Sequence, residues 1–513
     1  MLLFILLLAA YLRLVNGAET PGWYTDEGTH IEIAQNLAQG RVQYLALTQS
    51  TLLVAKLPLF EGLLALVFRV WGAGMKQLRA LTGLLGVLTV ALLYAVTRKT
   101  TRDARLALLA ALMLAIYPQA VLYSRFGFSY NLVAPLVLCV YLGLWRYAGD
   151  GAHSRRGLAW ASLAVGVGLT AEVWMVALLP LLLLAVLLRH PRDLWWSLLP
   201  AACPLLLCGL WLGLRAPQAS WFDLGYTLSR MAAPALWDQA ARLALNYTIL
   251  ISQDHWTALA LAGMFGLRSL RARALSLACF LLPVAFLGRS LALYNLSFYY
   301  MIPLFPFIAL GMASALKMGV PYVAQALRDL AVVFCARWPD RVVRLVPIAV
   351  WGILAAVVML PFATSLVWTW KQTREGFSTV IDPFVLDPPA ARQAADFVNA
   401  HVAAAQTIPG DLVIASPALA WMIRSDVADF QMAAAFNGQA TPHFPAGVPP
   451  DRWAFDPSYG RARFIIVDNL WYNWAVMNVP GVPEILGEME AWSRVFATGQ
   501  VTVYCNPARG GCP

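Results

Sequence analysis

The chain has 513 residues, 60% of them hydrophobic and only 12% charged. A soluble domain is nearer half apolar and a quarter charged, so a water-soluble globule is excluded and an integral membrane protein indicated. The net charge of +10 is unevenly placed: from residue 371 onward there are 9 Lys/Arg against 13 Asp/Glu, so the basic excess lies in the apolar part, where the positive-inside rule accounts for it and no nucleic-acid partner is expected.

In chain order, MLLFILLLAAYLRLV is short for a span and has no good cleavage site near Val15-Asn16-Gly17. It reads as a retained first span rather than a removed leader. WYTDEGTHIEIAQNLAQGR, 23–41, follows at once. Its start predicts a helix with Thr25 as N-cap and Asp26 and Glu27 in the first turn, where the helix dipole favours carboxylates. LPLFEGLLALVFRVW, 57–71, is apolar but only fifteen residues long and carries Glu61 and Arg69. That length suits a helix lying on the outer leaflet rather than crossing it.

Basic clusters at 98–105, 146–156, 189–192, 268–273 and 317–344 hold seventeen Lys/Arg. Placing all five in the cytoplasm demands an even number of spans between successive clusters. Apolar runs at 81–97, 106–121, 132–145, 158–169, 173–188, 194–214, 256–267, 274–287, 298–316 and 346–367 satisfy this. With the first segment, about eleven spans are expected. Asp26, Glu27, Lys56, Arg125, Asn131, Glu172, the loop 215–255 and the stretch 289–300 then fall outside, with everything after residue 371.

The tail reads as a small α/β domain. Asp387-Pro388-Pro389 starts a helix, LVIAS and ARFIIVDN are buried strands, and SRVFATGQVTVYC is a hairpin around Thr498-Gly499. It has no catalytic spacing, so a binding or supporting part is expected. Cys505 and Cys512 lie close together and are candidates for a disulfide if the tail meets an oxidising compartment. Cys139, Cys203, Cys208, Cys279 and Cys335 have no metal-ligand spacing and read as small hydrophobes. The sequons at Asn246 and Asn295 are chance matches in a chain this long. The domains expected are 1–370, membrane-embedded with a first outer loop at 16–78, and 371–513.

Trp23 and Tyr24 are interfacial anchors beside the acidic pair, and the threading gathers Lys56 and Arg125 on the same side. A carboxylate at the membrane surface facing cations suits transfer of a sugar from a lipid phosphate. One base takes the proton of the acceptor hydroxyl, while cations stabilise a phosphate that leaves without a general acid. Glycoside hydrolysis would instead need two carboxylates.

LRL closing the first span, WYTDEGTHIEIAQNLAQGR, KLPLFEGLLALVFRVWG and ALLYAVTRKTTRDARLALLAALMLAIYPQAVLYSRFGFSYN occur in that order over residues 10–150, with YYMIPLFPFIALGMA at 299–313. This series resembles the protein O-mannosyltransferase and lipid A aminoarabinose transferase superfamily, glycosyltransferase family 39 and its relatives. The resemblance implies a mainly α, polytopic GT-C fold and an inverting transfer from a polyprenyl-phosphate sugar on the extracytoplasmic face. It implies Asp26 as catalytic base with Glu27 beside it, and Lys56 and Arg125 on the donor phosphate. Where relatives carry an acid after that Arg, this chain has Asn131; where they carry Arg-Tyr, it has Tyr299 and Tyr300. Ala55 stands where some relatives place a metal ligand, so no metal and no cofactor are expected. Glu172 is a candidate for the missing acid. His30, one turn after Asp26, is expected to face solvent. The implied acceptor is a hydroxyl of a protein, lipid or glycan, and the implied location is the cell membrane. Two other classes are weighed: a flippase of lipid-linked sugars, which needs repeat symmetry and deep intramembrane charges, and a scaffold acting through its tail.

Overall fold

The computed structural model describes residues 1–149, 155–230, 255–289, 298–334, 384–402 and 411–513, with isolated positions at 241 and between 348 and 371. The expected span at 346–367 falls mostly outside these residues, as do Cys335 and both sequons. The helices are α1 (Leu2–Leu14), α2 (Thr25–Ala38), α3 (Pro58–Trp71), α4 (Met75–Thr101), α5 (Ala104–Ile116), α6 (Pro118–Ser124), α7 (Tyr130–Tyr147) and α8 (Arg155–Leu169). They continue as α9 (Leu179–Arg189), α10 (Leu194–Arg215), α11 (Pro217–Arg230), α12 (His255–Phe265), α13 (Leu270–Arg289) and α14 (Phe305–Phe334).

Contacts between the turns sort the helix ends into two groups. At one end, Arg125 after α6 donates to Leu12 O and Val15 O at 2.8 and 2.9 Å. Leu59 N donates to Thr170 O after α8 at 3.0 Å, and Arg215 closing α10 donates to Gly40 O at 3.0 Å. At the other end, Lys317 pairs with Asp103, Arg155 with Asp193 at 2.8 Å, and Arg189 and Arg271 both donate to Ala148 O. The charged turns thus collect at the end away from α2. Among the described residues three helices, Met75–Thr101, Pro191–Arg215 and Tyr299–Met318, are each long and apolar enough to cross a membrane, and α5 with α6, bent by 57°, makes a fourth if taken as one span. α1, Val173–Arg189 and Trp256–Phe265 are shorter apolar helices on the same path. Where α12 crosses α14, a side chain at Gly263 would overlap Gly311 O, so only glycine permits this approach.

The fourteen residues of α3 reach about 21 Å, short of a bilayer core of about 30 Å. Lys56 just before it and Arg79 after it contact the adjacent residues Asp26 and Glu27. The chain on either side of α3 is therefore tied to the start of α2.

In the tail, α15 (Pro388–His401) precedes a five-stranded sheet of β3 (Leu412–Ile414), β4 (Asp426–Ala428), β5 (Ala462–Val467), β6 (Ser493–Thr498) and β7 (Val501–Cys505). β1 (Gln43–Tyr44) and β2 (Leu47–Thr48) form a small hairpin in the first loop. The tail order is β4-β3-β5-β7-β6, with β4, β3 and β5 parallel and β5, β7 and β6 antiparallel. The three expected strand regions are present; β4, short and polar at its start, carries no such pattern. Cys505 and Cys512 are bridged, whereas Cys139, Cys203, Cys208 and Cys279 are free thiols.

A boundary at residue 370 divides the sequence but not the core. Trp23, Ile31, Tyr44 and Leu47 from the first loop share one buried cluster with Val413, Phe464 and Val503 from the tail. Trp23 bridges Leu386, and Leu47 bridges Trp453. Arg452 grips Asp223 of α11 through Nη1 and Nη2 at 2.7 and 3.0 Å, with both side chains buried. The first loop and the tail are one body.

Candidate active site

Asp26 lies in the first turn of α2 and keeps about a third of its side chain exposed, while the Lys56 side chain is 13% exposed. Lys56 Nζ donates to Asp26 Oδ2 at 3.3 Å. The approach is set by Ala55, whose φ of +56° turns the chain just before Lys56, and by Thr51, whose hydroxyl donates to Lys56 O at 3.0 Å. Burial pushes the Asp26 carboxyl up, but the Lys56 charge and hydrogen bond outweigh it, so Asp26 sits below the usual carboxylate range. Burial likewise works against the Lys56 charge, yet Asp26, Glu172 and Glu61 raise its pKa overall.

Glu27 is closed off where its neighbour Asp26 is open. It is fully buried and accepts from Arg79 Nε and Nη2 at 2.7 and 2.6 Å, from Tyr24 N at 2.7 Å and from Gly127 N at 2.7 Å. It closes a capping box on Tyr24, which is the N-cap in place of the expected Thr25, and it ties α4 and the 125–129 turn to α2. Arg125 also departs from expectation. It is 2% exposed and gives its guanidinium to Leu12 O, Val15 O and Thr20 Oγ1, which braces the end of α1 rather than presenting a cation to a phosphate. Asn131 is buried, and its Nδ2 donates to the carbonyls of Tyr123, Phe126 and Phe128 at 3.1 to 3.3 Å. It staples the turn that follows α6.

His30 does not face solvent. It is fully buried, its Nδ1 lies 2.8 Å from Glu61 Oε1, and its ring packs edge-on against Phe60. Burial holds the imidazole well below its ordinary pKa and pushes Glu61 up to about 7. Glu172 accepts from the Ser129 hydroxyl. Burial raises it to about 7 against the opposing pull of Lys56. Glu172 therefore lies within electrostatic reach of Lys56. Tyr299 stacks on Phe128 at 5.0 Å and approaches Tyr24 at 6.2 Å. Tyr300 meets Tyr130 edge-on at 5.3 Å and lies within electrostatic reach of Asp26, Glu172 and Lys56. These rings pack on one another beside the cluster.

The sequence reading missed Arg79 and underused Glu61. Arg79 had a signal: a charge near the start of a long apolar helix that needs a buried partner. Glu61 was read as an interfacial charge because nothing local points to His30. Among the described residues no three His, Cys, Asp or Glu side chains converge as a metal set.

Residues 55–221 match the sequence family described as dolichyl-phosphate-mannose-protein mannosyltransferase. A search of curated protein sequences finds no match. Among solved structures, ArnT from Cupriavidus metallidurans bound to undecaprenyl phosphate is similar with a TM-score of 0.67 at 16% identity, over 100% of this chain and 98% of that one. The archaeal oligosaccharyltransferase AglB from Archaeoglobus fulgidus, in complex with an inhibitory peptide and a dolichol-phosphate, gives 0.54 at 13%, over 99% and 74%. The arabinofuranosyltransferase AftD from Mycobacteria gives 0.51 at 15%, over 98% of this chain and 40% of that one. At such identities the likeness is one of fold.

Proposed function

We propose that this chain, an integral membrane protein of the GT-C fold, is an inverting glycosyltransferase that moves a sugar from a polyprenyl-phosphate donor to a hydroxyl acceptor at the extracytoplasmic surface. The observation that carries the reading is the Asp26–Lys56 pair, 3.3 Å apart and partly open, at the head of α2 beside the membrane. Asp26 is ionised at neutral pH and takes the acceptor proton as the hydroxyl attacks the sugar carbon. Lys56 receives the charge that grows on the departing phosphate. An apolar cavity of about 540 Å³ supports a lipid donor. It is lined by Pro58, Leu59, Leu66, Thr170, Leu207 and Trp211, and two of these, Pro58 and Thr170, are two residues along the chain from Lys56 and Glu172. The Cys505–Cys512 bridge and the basic turns at the opposite end support an outward-facing site.

The test is turnover by the purified chain in lipid nanodiscs. Decaprenyl-phosphate sugars are offered with a cell-envelope extract as acceptor, and free decaprenyl phosphate is followed by mass spectrometry. Asp26→Asn is expected to lose about 10²- to 10⁴-fold in kcat while staying folded, and undiminished release would remove Asp26 from the mechanism. Lys56→Ala is expected to weaken decaprenyl phosphate binding, and wild-type affinity would refute the phosphate assignment.

A further inference from the structure

A second cavity, of about 350 Å³, opens between α7 and α8. Leu136, Cys139 and Arg146 line it from α7, and Trp160, Ala164 and Val167 from α8. Their spacings of three, four and seven put each set on one face of its helix. The two helices meet where a Cβ at Gly143 would lie 2.6 Å from Gly157 O, so the cavity is a groove along a tight helix crossing. Cys139 and Arg146 are exposed, and Trp160 is 64% exposed. From Leu136 to Arg146 the groove runs ten residues, about 15 Å along α7. That is half of a bilayer core of about 30 Å, the depth of one leaflet.

Charge marks one end of this groove. Arg146 lies two residues before Ala148, whose carbonyl accepts from Arg189 and Arg271 at the basic end of the bundle. Its side chain starts against the first turn of α8, because a Cβ at Gly157 would stand 3.0 Å from Arg146 Cβ. Arg156, in that same turn, is exposed and sits one turn before Trp160 on the same helix face. The neighbouring acid, Asp193, is buried and held by Arg155 at 2.8 Å and by Tyr147 OH at 3.3 Å. Among the described residues neither Arg146 nor Arg156 has an acid within ion-pair distance. Two uncompensated guanidinium groups at the mouth of an apolar groove fit an anion that carries a hydrocarbon chain. Trp160 beside them suits the level of the headgroups.

We propose that the α7–α8 groove binds one anionic phospholipid of the leaflet at the basic end, with its phosphate at Arg146 and Arg156 and one acyl chain along Cys139, Ala164 and Val167. The site is distinct from the Asp26–Lys56 pair and needs no assumption about the reaction. Its length favours this occupant: an acyl chain fills one leaflet, whereas a polyprenyl chain is far longer than the groove. Val167 also lines the cavity of about 540 Å³, so the acyl chain ends where that cavity begins.

Two measurements decide it. The purified full chain is mixed with equal amounts of phosphatidylglycerol and phosphatidylcholine, and the lipid it retains is counted by native mass spectrometry. One phosphatidylglycerol is expected to be kept in preference. Arg146→Gln and Arg156→Gln are each expected to weaken its retention about fivefold with an unchanged melting temperature, since both side chains are exposed. Equal retention of the two lipids, or a preference that survives the double substitution, overturns the proposal. In the second measurement, phosphatidylglycerol with a diazirine at the end of one acyl chain is photolysed in nanodiscs, and the labelled peptides are mapped. Label is expected on the α7 and α8 segments that carry Cys139 and Val167, and Cys139→Trp, which fills the groove from an exposed position, is expected to remove it. Label confined to other helices, or undiminished in Cys139→Trp, overturns the proposal. Decaprenyl phosphate displacing the label at lower concentration than unlabelled phosphatidylglycerol does would give the groove to a polyprenyl chain, and that result also overturns it.

Discussion

Adjacent carboxylates at the start of α2 have different surroundings: Glu27 is sealed by Arg79, Tyr24 N and Gly127 N, and Asp26 keeps about a third of its side chain open. Removing one member of a buried ion pair leaves the other charge uncompensated and costs about 3–5 kcal/mol. Arg79→Ala is therefore expected to lower the melting temperature sharply, and a variant as stable as wild type would contradict the structural reading of the pair. Glu61 and Glu172 support a pH prediction. Both ordinarily titrate near 4.5 and are raised to about 7 by burial, so between those values the folded chain keeps protons that the unfolded chain releases. Their contribution to stability is fully present below pH 4.5 and is lost as pH rises toward 7. Wild type minus Glu172→Gln, measured as melting temperature from pH 4.5 to 8, is expected to show that downward slope; a flat difference would place Glu172 in water.

At the scale of elements, α2 is where membrane body and tail meet. The Gly28 backbone touches the Pro417 carbonyl, Tyr44 after α2 binds Asp429, and Arg392 on α15 pairs with Glu19 before it at 2.7 Å. Gly28→Ala must push helix α16 (Pro417–Ala420) off α2, because a backbone carbonyl cannot swing aside as a flexible side chain can. It is expected to loosen the tail and reduce turnover, with faster proteolysis between 371 and 411 as the readout. Normal proteolysis and activity would show that the contact yields. The sequence displayed α2, α3 and the tail hairpin through periodicity, length and turn residues. It could not display β4, which has three residues, or the docking of α16, which depends on a glycine that looks ordinary in a helical run.

For the whole molecule, the charged turns gather at one end and the Asp26 cluster lies at the other. A reporter fused after residue 150 and another after residue 380 are expected to report opposite sides of the membrane, and the same side for both would undo the orientation. The tail, residues 371–513, shares one buried cluster with the first loop of residues 1–370, apart from the cluster of the long apolar helices. No local pattern reveals that two segments nearly 400 residues apart bury the same surface.

Composition, hydropathy and charge placement determined by themselves that the chain spans membranes, which end of its helices is basic, and that an acidic helix start follows the first span. These depend only on transfer free energies and on the local geometry of the backbone. Tertiary structure decided which carboxylate is open and which is locked, that Arg125 and Asn131 brace turns, and that His30 turns inward to Glu61. Such assignments follow from burial and pairing between distant segments, and a residue's neighbours in sequence do not carry that information.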